Sequence, residues 1–262
     1  MYYKIMRNLK FLIIFLLMAA SAPVVFAQTE QVFQAEPVFE QEGYTTPFKL
    51  SIWNSWAVPP DATTIYILDL GLLGSGTFEL LEKTKHYGLH AAPVYAFGND
   101  FNGVQISPMF TLTRDLNGIS VSGLISVNTK FNGILISALT YSEKGGRGFQ
   151  LSPLAAMCGK ECTIYGLQAA PFNWGKVQGL QLGAVNFNKA VKGLQAGLIN
   201  SGADEINGLQ IGCINKIDLL KNGVQLGIIN YAGRMEKGVQ IGAINVSPEG
   251  FLIVSPLVNA RF

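Results

Sequence analysis

The sequence predicts an all-β protein built from tandem strand–turn units about 15 residues long. An eight-residue phrase recurs: GLQLGAVN at 179, GLQAGLIN at 193, GLQIGCIN at 208, GVQLGIIN at 223 and GVQIGAIN at 238. Apolar and polar positions alternate two apart within it, as on a strand with two unlike faces. Charged residues fall between copies rather than inside them. Periodicity this regular makes the repeat the unit of folding.

The N-terminus precedes the repeat and reads as a secretory signal peptide. Lys4, Arg7 and Lys10 lead into an apolar run from Phe11 to about Ala20, and Val25-Phe26-Ala27 places small residues at a cleavage site. Cleavage after Ala27 sets residues 1–27 apart as the leader. It removes three positive charges from the net +2, leaving −1. That balance argues against nucleic acid as a partner, which requires a concentrated basic face. Residues 28–46 follow as a flexible tether rich in Gln and acidic residues, with Glu30, Glu36, Glu40 and Glu42 and no Lys or Arg. Residues 47–262 then form a single all-β repeat domain.

Aligned on the first Gly, units begin at 88, 103, 118, 133, 148, 166, 179, 193, 208, 223, 238 and 250, and ILDLGLLG at Ile67 matches slot for slot as a worn earlier copy. Positions two and four are apolar. Position three is Gln at 105, 150, 168, 181, 195, 210, 225 and 240, which predicts an interior polar ladder. The eight-residue cores of the twelve units contain no Asp, Glu, Lys or Arg. At the chain's average of 14% charged residues, 96 such positions would hold about thirteen. Both strand faces are therefore shielded from bulk water, or one of them faces lipid.

Two architectures satisfy these constraints. The first is a closed outer-membrane β-barrel of roughly 14 strands, counting Lys49–Trp56, Ile65–Leu73 and the twelve units. Leu, Ile and Val would face lipid, and Gln, Ser and Gly the interior. Phe262, a terminal aromatic after alternating apolar residues, would be the assembly signal. The second is a parallel β-solenoid with one unit per coil, stacking Gln on Gln and Asn on Asn (186, 200, 215, 230, 245). Pro93, Pro108, Pro153 and Pro171, all at position six, suit its corners better than a membrane strand. The missing charges favour the barrel, because a soluble solenoid should carry Lys, Glu or Asp on its outward strand faces.

The repeat, the early stretch PFKLSIWNSW (47–56) and the ending FLIVSPLVNARF (251–262) resemble a mostly uncharacterised family of bacterial surface-repeat proteins built on G-[LV]-Q-x-G-x-x-N units. The resemblance spans about 47–262. It implies a cell-envelope location and no established reaction. Between 88 and 172 the chain departs from the pattern: Ser and Pro replace Gly, and Leu135 takes a Gln slot.

Candidate chemistry is sparse. The two histidines are His86 and His90, and His90 occupies a Gln slot as Asp69 does in the worn copy, making the two a candidate interior polar pair. A dyad without a positioned nucleophile predicts no catalysis. Cys158 and Cys162, in CGKEC, are a candidate disulfide in an exported protein and too few for a zinc site. Cys213 replaces a small apolar residue. No metal or cofactor is expected, and the repeat glycines lack the strand-to-helix context of a phosphate loop.

The barrel reading gives a structural protein or a narrow polar pore, with the bacterial outer membrane and its barrel-assembly machinery as partners. The solenoid reading gives a soluble or surface-attached binding or adhesion scaffold. In either case the protein or small-solute partner is unknown. If it is a solenoid, charged substitutions at Leu182, Leu226 or Ile241 are expected to break the fold.

Overall fold

The computed structural model describes residues 44–53, 56–58, 62–75, 85–159 and 161–262. They lie within one compact unit, Gly43–Phe262. The signal peptide and most of the tether lie outside the described residues, although the tether's last residues, from Tyr44, are in the first strand.

The strands are β1 (Tyr44–Trp53), β2 (Trp56–Val58), β3 (Ala62–Gly71), β4 (Gly74–Ser75), β5 (Lys85–Ala91), β6 (Tyr95–Ser107), β7 (Phe110–Ser122) and β8 (Ile125–Ile136). They continue as β9 (Leu139–Leu151), β10 (Ala155–Cys158), β11 (Thr163–Ala169), β12 (Phe172–Trp174), β13 (Lys176–Leu182) and β14 (Val185–Ala196). β15 (Ile199–Val246) winds continuously through the last coils, and β16 (Val254–Arg261) ends the chain.

Pairing is parallel from β1 and β3 through β14 and β15, and each slot meets the same slot one unit later. Gly88 pairs with Gly103, Gly103 with Gly118, and so on through Gly133, Gly148, Gly166, Gly179, Gly193 and Gly208. The chain is therefore a parallel β-solenoid, and the expected barrel is not its fold. A barrel needs neighbouring strands that alternate in direction. Here each residue's neighbour is its own equivalent on the next coil, as the like-on-like ladders require.

Leu135, in a Gln slot, does not disturb the register, which continues through Ser120↔Leu135 and Leu135↔Gln150. The long step from Gly148 to Gly166 is absorbed by the CGKEC segment, where Cys158 and Cys162 are joined in a disulfide. Both are buried against Phe131, Ile164 and Val177.

The ends differ from the middle. The unit expected at Gly250 is not a twelfth coil: β16 reverses and pairs antiparallel with β15, matching Gly238 to Arg261 and Gln240 to Asn259. At the other end β2 folds back antiparallel on β1, with Leu50 opposite Val58. The C-terminal return covers an open hydrogen-bonding edge that a stack of coils otherwise presents, and the N-terminal one covers the end of β1.

Proline positions follow from the bends. Pro93, Pro108 and Pro153 sit between strands, at breaks where no ladder N–H is needed, and all three are exposed. Glycine is required at position one because the chain turns there with positive φ. At Gly118 (φ 139°) an added Cβ would also collide with the carbonyl oxygen of Gly103. At position five, an added Cβ on Gly197 would meet the Gly183 carbonyl and the Asn186 and Asn200 amides, so the small residue makes room for the Asn ladder.

Candidate functional site

The interior of the coil is polar along much of its length, and the outside is apolar along much of its length. Gln105, Gln150, Gln168, Gln181, Gln195, Gln210, Gln225 and Gln240 are all fully buried. From Gln240 down to Gln150, each Nε2 donates to the Oε1 of the preceding Gln, at 2.7–3.1 Å. A second ladder of Asn173, Asn186, Asn200, Asn215, Asn230 and Asn245 runs the other way, each Nδ2 donating to the next Oδ1 at 2.7–2.8 Å. Asn Nδ2 groups also reach backbone carbonyls, as Asn215 does to Leu226. A buried amide with its partners in place costs little, and one that loses them costs about 1–3 kcal/mol. The two ladders thus fix the coil-to-coil register.

A third inward column is apolar. It runs Ile65, His86, Phe101, Leu116, Phe131, Gly146, Ile164, Val177, Val191 and Ile206 in successive coils. Its exception is His86, which stands between Ile65 and Phe101.

The Gln ladder changes character toward the N-terminus. Leu135 interrupts it, and Gln150 turns instead to Thr140 Oγ1 at 2.8 Å. Gln105 is held by Thr113 Oγ1, at 2.7 Å, and the Ala96 carbonyl, at 2.9 Å. Beyond it the same slot is filled by His90, Asp69 and Lys49, all buried.

Asp69 Oδ1 accepts from Ser75 Oγ at 2.8 Å, and Oδ2 accepts from His86 Nε2 at 2.9 Å. His90 Nε2 lies 3.8 Å from the same oxygen and makes no hydrogen bond. The two imidazoles stack 4.6 Å apart, and both tilt against Phe101. The structure therefore brings Asp69 and His90 together but gives the hydrogen bond to His86. Burial alone would raise the Asp69 pKa. The two histidines and Lys49 outweigh it and hold the carboxyl well below the usual carboxylate range. Burial pushes His90 down from 6.5 to about 3, overriding the pull of Asp69, so the ring is neutral at pH 7.

The candidate ligand atoms of Asp69, His86 and His90 lie within 4.8 Å of one another, close enough to surround a cation. Asp69 is the ionised ligand of the three, and Lys49 is its register partner one ladder step away. The cluster lies buried within the first coils.

His86 could have been found from the sequence. It falls two residues before a position-one Gly, in the column that reads Phe101, Leu116 and Phe131 one unit apart.

The outward positions are where the expectations for a solenoid reverse. Leu182, Ile211 and Ile241 at position four are exposed, as are Leu198 and Ile228 at the corner and Ile199, Ile214, Ile229 and Ile244 beyond it. From Gly179 to Val246 the outward residues of these two walls are apolar except Ser201, Lys216 and the Tyr231 hydroxyl. Charged groups collect on the third wall, including Lys192, Asp204, Asp218, Arg234 and Lys237. Leu182 and Ile241 are thus outer residues of the wall and not the core that would break on substitution. Cys213 is free and exposed at the corner. Phe262 follows β16, fully exposed, and the role of barrel-assembly signal presupposed a barrel.

Together these features define a capped parallel β-solenoid with hydrogen-bonded amides inside and aliphatic walls outside. No protein-family model, curated protein or solved structure matches the chain.

Proposed function

We propose that this protein is an exported, non-catalytic scaffold of the bacterial cell envelope, which binds through the two apolar outer walls of its solenoid. The inverted distribution of side chains carries the reading. Each wall is about five residues wide and eleven coils tall, or roughly 17 by 50 Å from ordinary strand spacing, giving about 1,700 Å² for the pair. Ordinary monomers expose apolar patches of about 300–600 Å² at most, and larger ones mark interaction surfaces.

The leader-like N-terminus supports export. The Asp69–His86–His90 cluster is buried away from solvent, which supports a role without catalysis.

Envelope fractionation of the exported chain tests this. The wild type should be retained with the envelope, while Leu182→Glu, Ile211→Glu, Ile229→Glu and Ile241→Glu combined should release a folded protein. If the wild type is already a free monomer in the soluble fraction, the scaffold reading is wrong.

A further inference from the structure

The geometry points to a lipid bilayer as the occupant of the apolar walls: we infer that the solenoid lies with its axis in the membrane plane, its apolar corner in the hydrocarbon and its charged wall in water. The inference rests on the scaffold reading above and names what the scaffold binds.

The shape of the surface argues for a fluid partner. Two apolar walls meet at a corner formed by Ala184, Leu198, Cys213, Ile228 and Ala243. A second copy packing face to face covers one wall and leaves the other wet, whereas hydrocarbon flows around the corner. The chemistry agrees. Protein interfaces carry about one hydrogen bond per 100–200 Å², and between Gly179 and Val246 these walls offer almost no donors or acceptors beyond Ser201, Lys216 and Tyr231. They provide area without the polar groups that would fix a protein partner's register.

The backbone also meets the main requirement of an apolar phase, that every N–H and C=O be satisfied internally. Each coil bonds to the next, β16 covers the C-terminal edge over Gly238–Val246, and β2 covers Leu50–Trp53 of the first strand. The third wall completes the amphipathic arrangement, with Lys192, Lys221, Arg234 and Lys237 among mixed charges. Amphipathic helices lie in the interface on the same principle, immersed by about 5–10 Å.

Cys213 supplies the probe, because it is the free thiol and stands at the corner. The full chain, labelled there with a small environment-sensitive fluorophore, is mixed with phosphatidylcholine vesicles in high salt and floated on a density gradient. The protein should rise with the vesicles, and its emission should shift to the blue and be quenched by lipids brominated in the acyl chains. A label moved to the charged wall, in a Cys213→Ala, Lys237→Cys variant, should float equally and escape quenching.

The combined Glu variant at 182, 211, 229 and 241 should stay at the bottom with an unchanged β-type circular dichroism spectrum. It retains residues 1–27, so its failure to float assigns binding to the walls and not to the leader. Flotation of this variant would overturn the inference. A wild type that stays down and self-associates with rising concentration would make a second copy the occupant, which overturns the lipid inference and leaves the scaffold standing. A wild type that stays down as a monomer would sink both.

Discussion

Replacing Gln225 with Glu tests the inside-out arrangement at its centre. Gln225 is fully buried, donates to Gln210 at 2.7 Å and accepts from Gln240 at 2.8 Å. A carboxylate there can still accept from Gln240 but cannot donate to Gln210, so one ladder bond is lost and a charge is buried. A fully buried carboxyl has its pKa raised by up to about 3–5 units, each unit equivalent to about 1.4 kcal/mol.

The folded Gln225→Glu protein then holds a proton that the unfolded chain releases above about pH 4.3. Its stability deficit is small at pH 4, grows as pH rises through neutrality, and reaches about 4–7 kcal/mol where the folded carboxyl also ionises. Urea unfolding at pH 4, 6 and 8, followed by circular dichroism, measures this directly. The matching exposed change, Ile241→Glu, should cost less than about 1 kcal/mol at every pH. If Gln225→Glu is as stable as wild type at pH 8 while Ile241→Glu unfolds, the Gln face is outside and the arrangement of the walls is wrong.

The remaining expectations concern backbone, titration and ends. Gly118→Ala should lose about 3 kcal/mol or more, since positive φ and the Gly103 carbonyl both oppose a Cβ; a midpoint shift in urea reads it, and a neutral result would refute the register. His90 has a folded pKa of about 3 against an ordinary 6.5, so the unfolded state binds the extra proton between those values. Stability should fall by about 2 kcal/mol from pH 7 to pH 5 and keep falling toward pH 3, with Asp69 acting in the same direction at lower pH. His90→Gln should flatten that slope in the same unfolding series, and an unchanged slope would place the titration elsewhere. Deleting residues 247–262 bares the last coil's edge and should give concentration-dependent assembly by light scattering. If the truncated protein stays monomeric, β16 is not the cap.

Much of the repeat architecture was legible in the chain. The unit starts from Gly88 to Gly208 are the observed register glycines, because position one there has positive φ and only Gly adopts it without strain. The Asp69–His90 proximity followed from the same slot counting. The twelfth unit failed because GFLIVSPL keeps only the opening Gly and the apolar second and fourth positions, with Leu252 and Val254 in the Gln and small-residue slots; the pairing of Gln240 with Asn259 depends on a reversal at residues 247–250. His86 was missed because its column lies outside the eight-residue phrase.

The sequence by itself determined the unit, its length and its two-residue alternation. These are local properties, set by side-chain periodicity and glycine stereochemistry. Which face is inside, and whether successive strands run parallel, was decided only by the tertiary structure. Alternation distinguishes an apolar face from a polar one but does not say which one encloses the other. Hydrophobicity alone argues for aliphatic residues within a solenoid. Six consecutive Gln–Gln bonds and five Asn–Asn bonds exist only when fifteen-residue coils stack in parallel around them. A buried amide is stable inside such a ladder because its neighbours above and below complete its hydrogen bonds, and those neighbours are supplied by residues some fifteen positions away.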